Sequence, residues 1–169
     1  MTHGSTIALS KQALADTIDP IDVKPETHSM TINVVDPTRI VDWDGMVRTL
    51  PGFSFFHTAT WSHVMKQCYG YKPFYFAMSE SHQLMATIPV MEVSSILTGK
   101  RGVSLPFTDY CEPLGDCKED LRRLFDTALA TGRERGWAYV EFRLKNGFLE
   151  GSPIAATYYG HMLDLTGGP

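Results

Sequence analysis

GVSLPFTDYCEPLG, residues Gly102 to Gly115, decides how this chain is read. Val103-Ser104-Leu105 has the look of a buried strand and runs into Pro106. An eleven-residue loop, Pro106 to Asp116, follows before a strongly patterned helix opens. A helix start offers unpaired N–H groups and the positive end of a dipole, so a strand emptying onto it through a long loop is a common ligand-binding place in an α/β fold. Loops of this length in compact domains are often functional. An ordinary βα connection stiffened by proline is the competing reading, and the residues alone leave both open.

Downstream, Asp116 and Glu119 fit a capping box for a helix over 117–135. Leu121, Leu124, Phe125, Ala128 and Leu129 form its apolar stripe, charged residues fill the other face, and Gly136 ends it. Ala138, Val140, Phe142 and Leu144 alternate with Tyr139, Glu141 and Arg143, which predicts a strand covered on one face. Residues 145–157 are turn-rich, and Tyr158 to Leu165 reads as a last strand.

Upstream, the connection Ser94 to Arg101 carries Gly99-Lys100-Arg101 at its tip. Lys72–Ser79 and Leu84–Val93 read as a hairpin around Glu80-Ser81-His82-Gln83. Pro89 puts the second strand at an edge or at a bulge. Two helices precede it: about 38–49, with Ile40, Trp43, Val47 and Leu50 on one face, and about 59–68. The second has a Thr58 or Thr60 cap, a Trp61, Val64, Met65 and Cys68 stripe, and Gly70 as its stop. Met30 to Val35 is a first strand. Residues 1–29 read as a flexible tail, with Pro20, Pro25 and little apolar periodicity. The order β-α-α-β-β-β-α-β-β predicts an α/β (α+β) fold, a mixed sheet in a single domain over 30–165.

The composition, 43% hydrophobic and 20% charged over 169 residues, is that of a globular chain. No apolar run reaches the length of a spanning helix. The net charge of −4 comes without a basic tract, so DNA is not an expected partner. Cys68, Cys111 and Cys117 make an odd number without a CxxC pair, which predicts neither a disulfide framework nor a zinc site. Cys68 reads as a small core residue. Cys111 would need an activating partner to be a nucleophile. His63 and His161 have no spaced partners, and no metal is expected. Reduced thiols and the lack of a visible signal segment point to the cytoplasm.

Several segments together resemble FemAB-like proteins of the GCN5-related N-acetyltransferase superfamily. They are Trp43–Val47, Phe55-Phe56-His57 with Trp61, Tyr69-Gly70-Tyr71-Lys72-Pro73, Ile88-Pro89-Val90, and Ser104 to Tyr110 with Pro113-Leu114. The resemblance covers about residues 30–165. It implies an acyltransferase fold and transfer of an acyl or aminoacyl group to an amine of a peptidoglycan or exopolysaccharide-related acceptor. The donor it implies is aminoacyl-tRNA or an acyl-CoA, with no tightly bound cofactor. It also implies a second, C-terminal acyltransferase-like half as partner, with a homodimer as the way an isolated half would cover the same face. A place at the inner face of the membrane goes with it. The glycine-rich phosphate signature of the acetyl-CoA enzymes is absent between Val103 and Asp116, which favours aminoacyl-tRNA over acetyl-CoA.

Asp109 and Tyr110 are the candidate catalytic pair. A carboxylate there could take a proton from an amine, and a phenol could donate to a developing oxyanion. Local turn formation by Asp109 and packing by Tyr110 compete with that role. Lys100, Arg101, Phe107 and Arg143 are the candidate substrate-binding residues: the two cations for phosphates, Phe107 within the resembling segment, Arg143 from the outward face of its strand. A solvated hairpin tip and an interdomain contact are the structural alternatives for the cations. A non-catalytic acceptor-recognition domain and a stand-alone acetyl-CoA acetyltransferase are the competing functions.

Overall fold

The computed structural model describes residues 2–10, 30–108, 111–145, 154–160 and 166. Its strands are β1 (Thr2–Ser10), β2 (Thr31–Val35), β3 (Lys72–Pro73), β4 (Tyr75–Glu80), β5 (Gln83–Ile88), β6 (Met91–Ser95), β7 (Gly99–Val103), β8 (Tyr139–Lys145) and β9 (Ile154–Gly160). Its α-helices are α1 (Trp43–Arg48), α2 (Ala59–Tyr69) and α3 (Lys118–Arg135), with single 3-10 turns at Pro37–Arg39 and Phe55–His57. One sheet has the order β2-β4-β5 and the other β3-β6-β7-β8-β1-β9.

The predicted strand 84–93 is broken where the proline falls. β5 pairs with β4, β6 pairs with β7, and Pro89 lies between them. A residue without an N–H cannot continue a ladder, so β5, the edge strand of its sheet as the proline suggested, stops there and the chain changes sheets. Phe74 N–H to Val90 O, 2.8 Å, holds the crossing. The β4–β5 turn places Ser81 and His82 at φ 48° and 69°, which closes a tight hairpin without the usual glycine.

β4, β5 and β6 are buried along most of their length, whereas β8 alternates buried and half-buried residues and β2 is half-buried or exposed. Phe76, Met78, Ala86, Ile88, Val140, Phe142 and Leu144 meet α3 through Leu121, Leu124, Phe125, Ala128 and Leu129. Tyr75, Ala77, Leu84 and Met91 meet Trp43, Val47 and Met65 on the other face. Each large side chain in these layers contributes about 1.5–3 kcal/mol of burial. Gly102 lets Trp137 lie flat on β7, since a Cβ there would sit 2.5 Å from Cζ3 of the indole.

Several expectations need correction. Cys117, not Asp116, precedes α3, and no side-chain hydrogen bond caps it. Cys68 is exposed, because the α2 stripe turns outward in its last turn. The helix expected at 38–49 splits into the Pro37–Arg39 turn and α1, with Asp42 between them at φ 57°. Residues 2–10, read as tail, form β1 between β8 and β9, with Ser5 opposite both Leu144 and Thr157. An open β8 edge is a template for such a strand, and the small residues Gly4, Ser5, Ala8 and Ser10 hid it from a hydrophobicity pattern. Residues 11–29 lie outside the described residues. The last strand starts at Ile154 instead of Tyr158, and 161–165 lie outside the described residues.

Candidate functional site

β7 and β8 run parallel for only two pairs, Gly102 with Val140 and Val103 with Glu141. Beyond them Ser104 N–H donates to Glu141 O at 2.8 Å, and Ser104 Oγ accepts from Arg143 N–H at 3.0 Å. Then the chain leaves β8. Leu105 and Phe107 take φ 50° and 65°, a left-handed conformation that costs about 1–2 kcal/mol per residue for an L side chain. Leu105 is buried in the α1/α2 layer, so its side chain drives the first turn. Thr108 Oγ1 closes the turn by donating to Leu105 O at 2.9 Å.

The loop then returns and ties the two sheets together. Cys111 N–H donates to Arg143 O at 3.1 Å, and Leu114 exchanges backbone bonds of 2.8 and 2.9 Å with Thr87 on β5. His57 braces this return. Ser54 N–H donates to its Nδ1 at 3.1 Å, which leaves the proton on Nε2, and Nε2 donates to Glu112 O at 2.8 Å. Burial holds the imidazole below its ordinary pKa, against the raising pull of the Glu112 and Ser54 carbonyls. Cys111 Sγ lies 3.4 Å from the same Nε2. That nitrogen carries a hydrogen and cannot take the thiol proton. Burial, with the Glu112 carboxylate adding to it, pushes the thiol far above its ordinary value. The histidine that sequence could not place beside Cys111 is therefore a brace, and the pair is not a nucleophile and base.

The turn at Leu105 throws Phe107 outward, where it is 57% exposed. Its ring is 4.6 Å from Tyr69 and 6.4 Å from Tyr71, nearly parallel to the latter at 9°. The tyrosines stack on each other at 5.5 Å. They bracket Gly70, which ends α2 at φ 68° and turns both rings to one side. A cleft of about 470 Å³ adjoins Tyr71, lined by Asp36, Arg39, Lys66, Lys72 and Phe74 among others. Lys66 donates to Asp36 at 2.7 Å and to Thr38 at 3.0 Å. Burial would raise the Asp36 pKa, but these hydrogen bonds outweigh it and hold the carboxyl below its ordinary value.

The residues singled out from sequence do not converge. Phe107 and Arg143 belong to one loop system. The Arg143 guanidinium donates to Thr108 O and, at 2.9 Å, to Glu141 Oε1, so it holds the loop from below. Lys100 and Arg101 are at the opposite end of β7, in the strand rather than at the hairpin tip, and Arg101 donates to Thr98 at 2.8 Å. Asp109 and Tyr110 lie outside the described residues. Tyr69 and Tyr71 were missed as site residues. Their Tyr-Gly-Tyr spacing was visible, but nothing local tied them to Phe107. Among the described residues no cluster of His, Cys, Asp and Glu suits a metal ion, and no helix is long and apolar enough to cross a membrane.

No protein-family model matches the chain, and no curated protein matches it. Among solved structures it is similar to a GCN5-related N-acetyltransferase from Anabaena variabilis ATCC 29413, with TM-score 0.56 and 8% identity over 92% of this chain. It is also similar to a functionally unknown conserved protein from Staphylococcus epidermidis ATCC 12228, with TM-score 0.47 and 10% identity, again over 92% of this chain. The chain spans 38% of the first protein's length and 59% of the second's. At 8% identity the Anabaena likeness carries the fold: this is a mixed α/β chain with the N-acetyltransferase architecture.

Proposed function

We propose that this domain is an acyl- or aminoacyl-transferase half of FemAB type, acting on an amine of a cell-wall or exopolysaccharide-related acceptor. The observation that carries the reading is the loop 104–111. It opens where β7 and β8 part, it is strained at two residues, and it presents an exposed aromatic on a stacked tyrosine pair. Strain of this kind persists only where surrounding structure imposes it, and it clusters at binding sites. The acceptor lies along Tyr69, Tyr71 and Phe107, with Arg143 positioning the loop through Thr108. Asp109 takes the proton from the attacking amine and Tyr110 donates to the oxyanion. The amine nitrogen bonds to the donor carbonyl carbon and the ester oxygen leaves with its electron pair.

Aminoacyl-tRNA is the favoured donor. Gly115, in front of α3, is needed for packing, since a Cβ there would meet that of Ala86 at 2.8 Å. The first turn of α3 carries Glu119 and Asp120, which oppose a pyrophosphate. A C-terminal acyltransferase-like half completes the enzyme, and the reaction belongs to the cytoplasmic side. The test is transfer of a labelled amino acid from aminoacyl-tRNA to an amine-bearing muropeptide, with the wild type, Asp109→Asn and Phe107→Ala. Transfer lost in Asp109→Asn supports the assignment. Acetyl-CoA binding tighter than about 10 μM, roughly −7 kcal/mol, replaces the donor. Acceptor binding without transfer from either donor favours the non-catalytic recognition reading, for which the acidic start of α3 is the supporting observation.

A further inference from the structure

The β6–β7 hairpin ends in the loop Ile96-Leu97-Thr98, closed by the pair Ser95–Gly99. The turn makes clear demands at its flanks. Gly99 sits at φ 71°, and Ser95 Oγ accepts from Leu97 N–H at 3.2 Å. A three-residue hairpin loop needs the left-handed glycine and profits from the serine. It needs nothing apolar at 96 and 97, where turns ordinarily carry polar side chains. Yet Leu97 is 94% exposed and Ile96 fully so, side by side at the apex.

Near its apex the hairpin itself carries charge of one sign. Residues 93–108 contain no Asp or Glu. Strand alternation puts Lys100 on one face of the ribbon and Arg101 on the other. Further along the Lys100 face, Lys72 and Arg135 approach Glu92 at 4.0 and 2.5 Å, and Glu92 is buried. The exposed acid Glu134 on the last turn of α3 is the nearest opposing charge in sequence to that cluster. A second copy of the chain is a poor occupant, because two side chains offer far less than the roughly 800 Å² per partner of a stable interface. Two aliphatic side chains at a point, with cations on both faces behind them, suit an anionic lipid surface: the apolar tips enter the acyl boundary and the cations meet the headgroups.

We propose that the Ile96–Leu97 hairpin tip is a membrane-docking point that inserts into anionic lipid bilayers. The inference is independent of the transferase assignment. The test is co-sedimentation of the full chain with phosphatidylcholine vesicles containing about one-third phosphatidylserine, and with pure phosphatidylcholine vesicles. Binding to the anionic vesicles that falls with salt is expected. Ile96→Ser with Leu97→Ser should weaken it at least about tenfold. Lys100→Ser with Arg101→Ser should weaken it and flatten its salt dependence. Leu97→Trp should shift its emission to the blue on adding anionic vesicles. Ile96, Leu97 and Lys100 are exposed and Arg101 is half-buried, and unchanged thermal melts show that the variants fold. No sedimentation with anionic vesicles overturns the proposal, as does equal binding of the serine variant. A self-association lost in the serine variant, without vesicle binding, would assign the tip to a protein interface and overturn it too.

Discussion

Replacing His57 with Phe tests whether the loop that joins the two sheets is braced as its hydrogen bonds indicate. Phenylalanine is somewhat larger than histidine, so the change removes polar partners without opening a cavity. It removes the ring partners of the Ser54 N–H and the Glu112 carbonyl, now 3.1 and 2.8 Å from ring nitrogens. An unsatisfied buried group costs about 1–3 kcal/mol, and Ser54 and Glu112 are both half-buried, so the expected loss is about 1–3 kcal/mol. For a chain of this size that lowers Tm by about 2–12 °C. Denaturant unfolding of wild type, His57→Phe and His57→Gln measures it. The Gln variant keeps a donor and an acceptor and should lose less. The pH dependence is a second readout. Burial sets the folded pKa below the unfolded one, so the unfolded chain binds more protons. The histidine's contribution is present above pH about 6.5 and is lost as pH falls toward the folded value, a slope that both variants should lack. A His57→Phe protein within about 0.5 kcal/mol of wild type would refute the brace, as would a His57 resonance titrating at or above its ordinary value.

Leu124→Asp places a charge in the fully buried layer between α3 and the sheets, and the domain should fail to fold; an unchanged thermal midpoint would refute the packing. Glu92→Ala leaves Arg135 and Trp137 Nε1 without their acceptor and should cost about 2–4 kcal/mol, below the fully buried range because the Arg135 side chain is 33% exposed. Burial would raise the Glu92 pKa, but Arg135 and Trp137 hold it below its ordinary value. The advantage of wild type over that variant is thus present above the ordinary Glu range and shrinks as pH falls through the folded pKa, which urea titrations at stepped pH will show. Gly102→Val drives a side chain into Trp137 and should lower stability by at least about 1–3 kcal/mol, with a red-shifted tryptophan emission as the Trp137 ring is displaced.

The α3 stripe was legible because its period, length and terminating Gly136 agree, and all five of its apolar residues are buried where the pattern put them. Pro89 was legible as an interruption but not as a change of sheet. A missing donor says that pairing stops, not which strand is paired next. β1 was illegible because small residues dilute its pattern and its partners are the non-local edges of β8 and β9. The site was legible as a loop and not as a constellation. Tyr69 and Phe107 are 38 residues apart in the chain, and only the two left-handed residues bring the rings within 4.6 Å. Non-glycine residues in that conformation leave no mark in sequence, since nothing in Leu-Pro-Phe-Thr asks for it.

That strain also separates the loop from a mere connection. A βα link could put glycine at 107 and remove a backbone cost of about 1–2 kcal/mol. Phenylalanine there recovers part of it by stacking, about 0.5–1.5 kcal/mol for an aromatic pair, while more than half of the ring stays in water. Stability alone therefore gives Phe107 little advantage over glycine. Around it the backbone is fixed at Ser104, Thr108, Cys111 and Leu114 by bonds to β8, Arg143 and β5. The molecule thus holds a poorly compensated aromatic at the surface, and its open ring face is prepared to gain from a ligand.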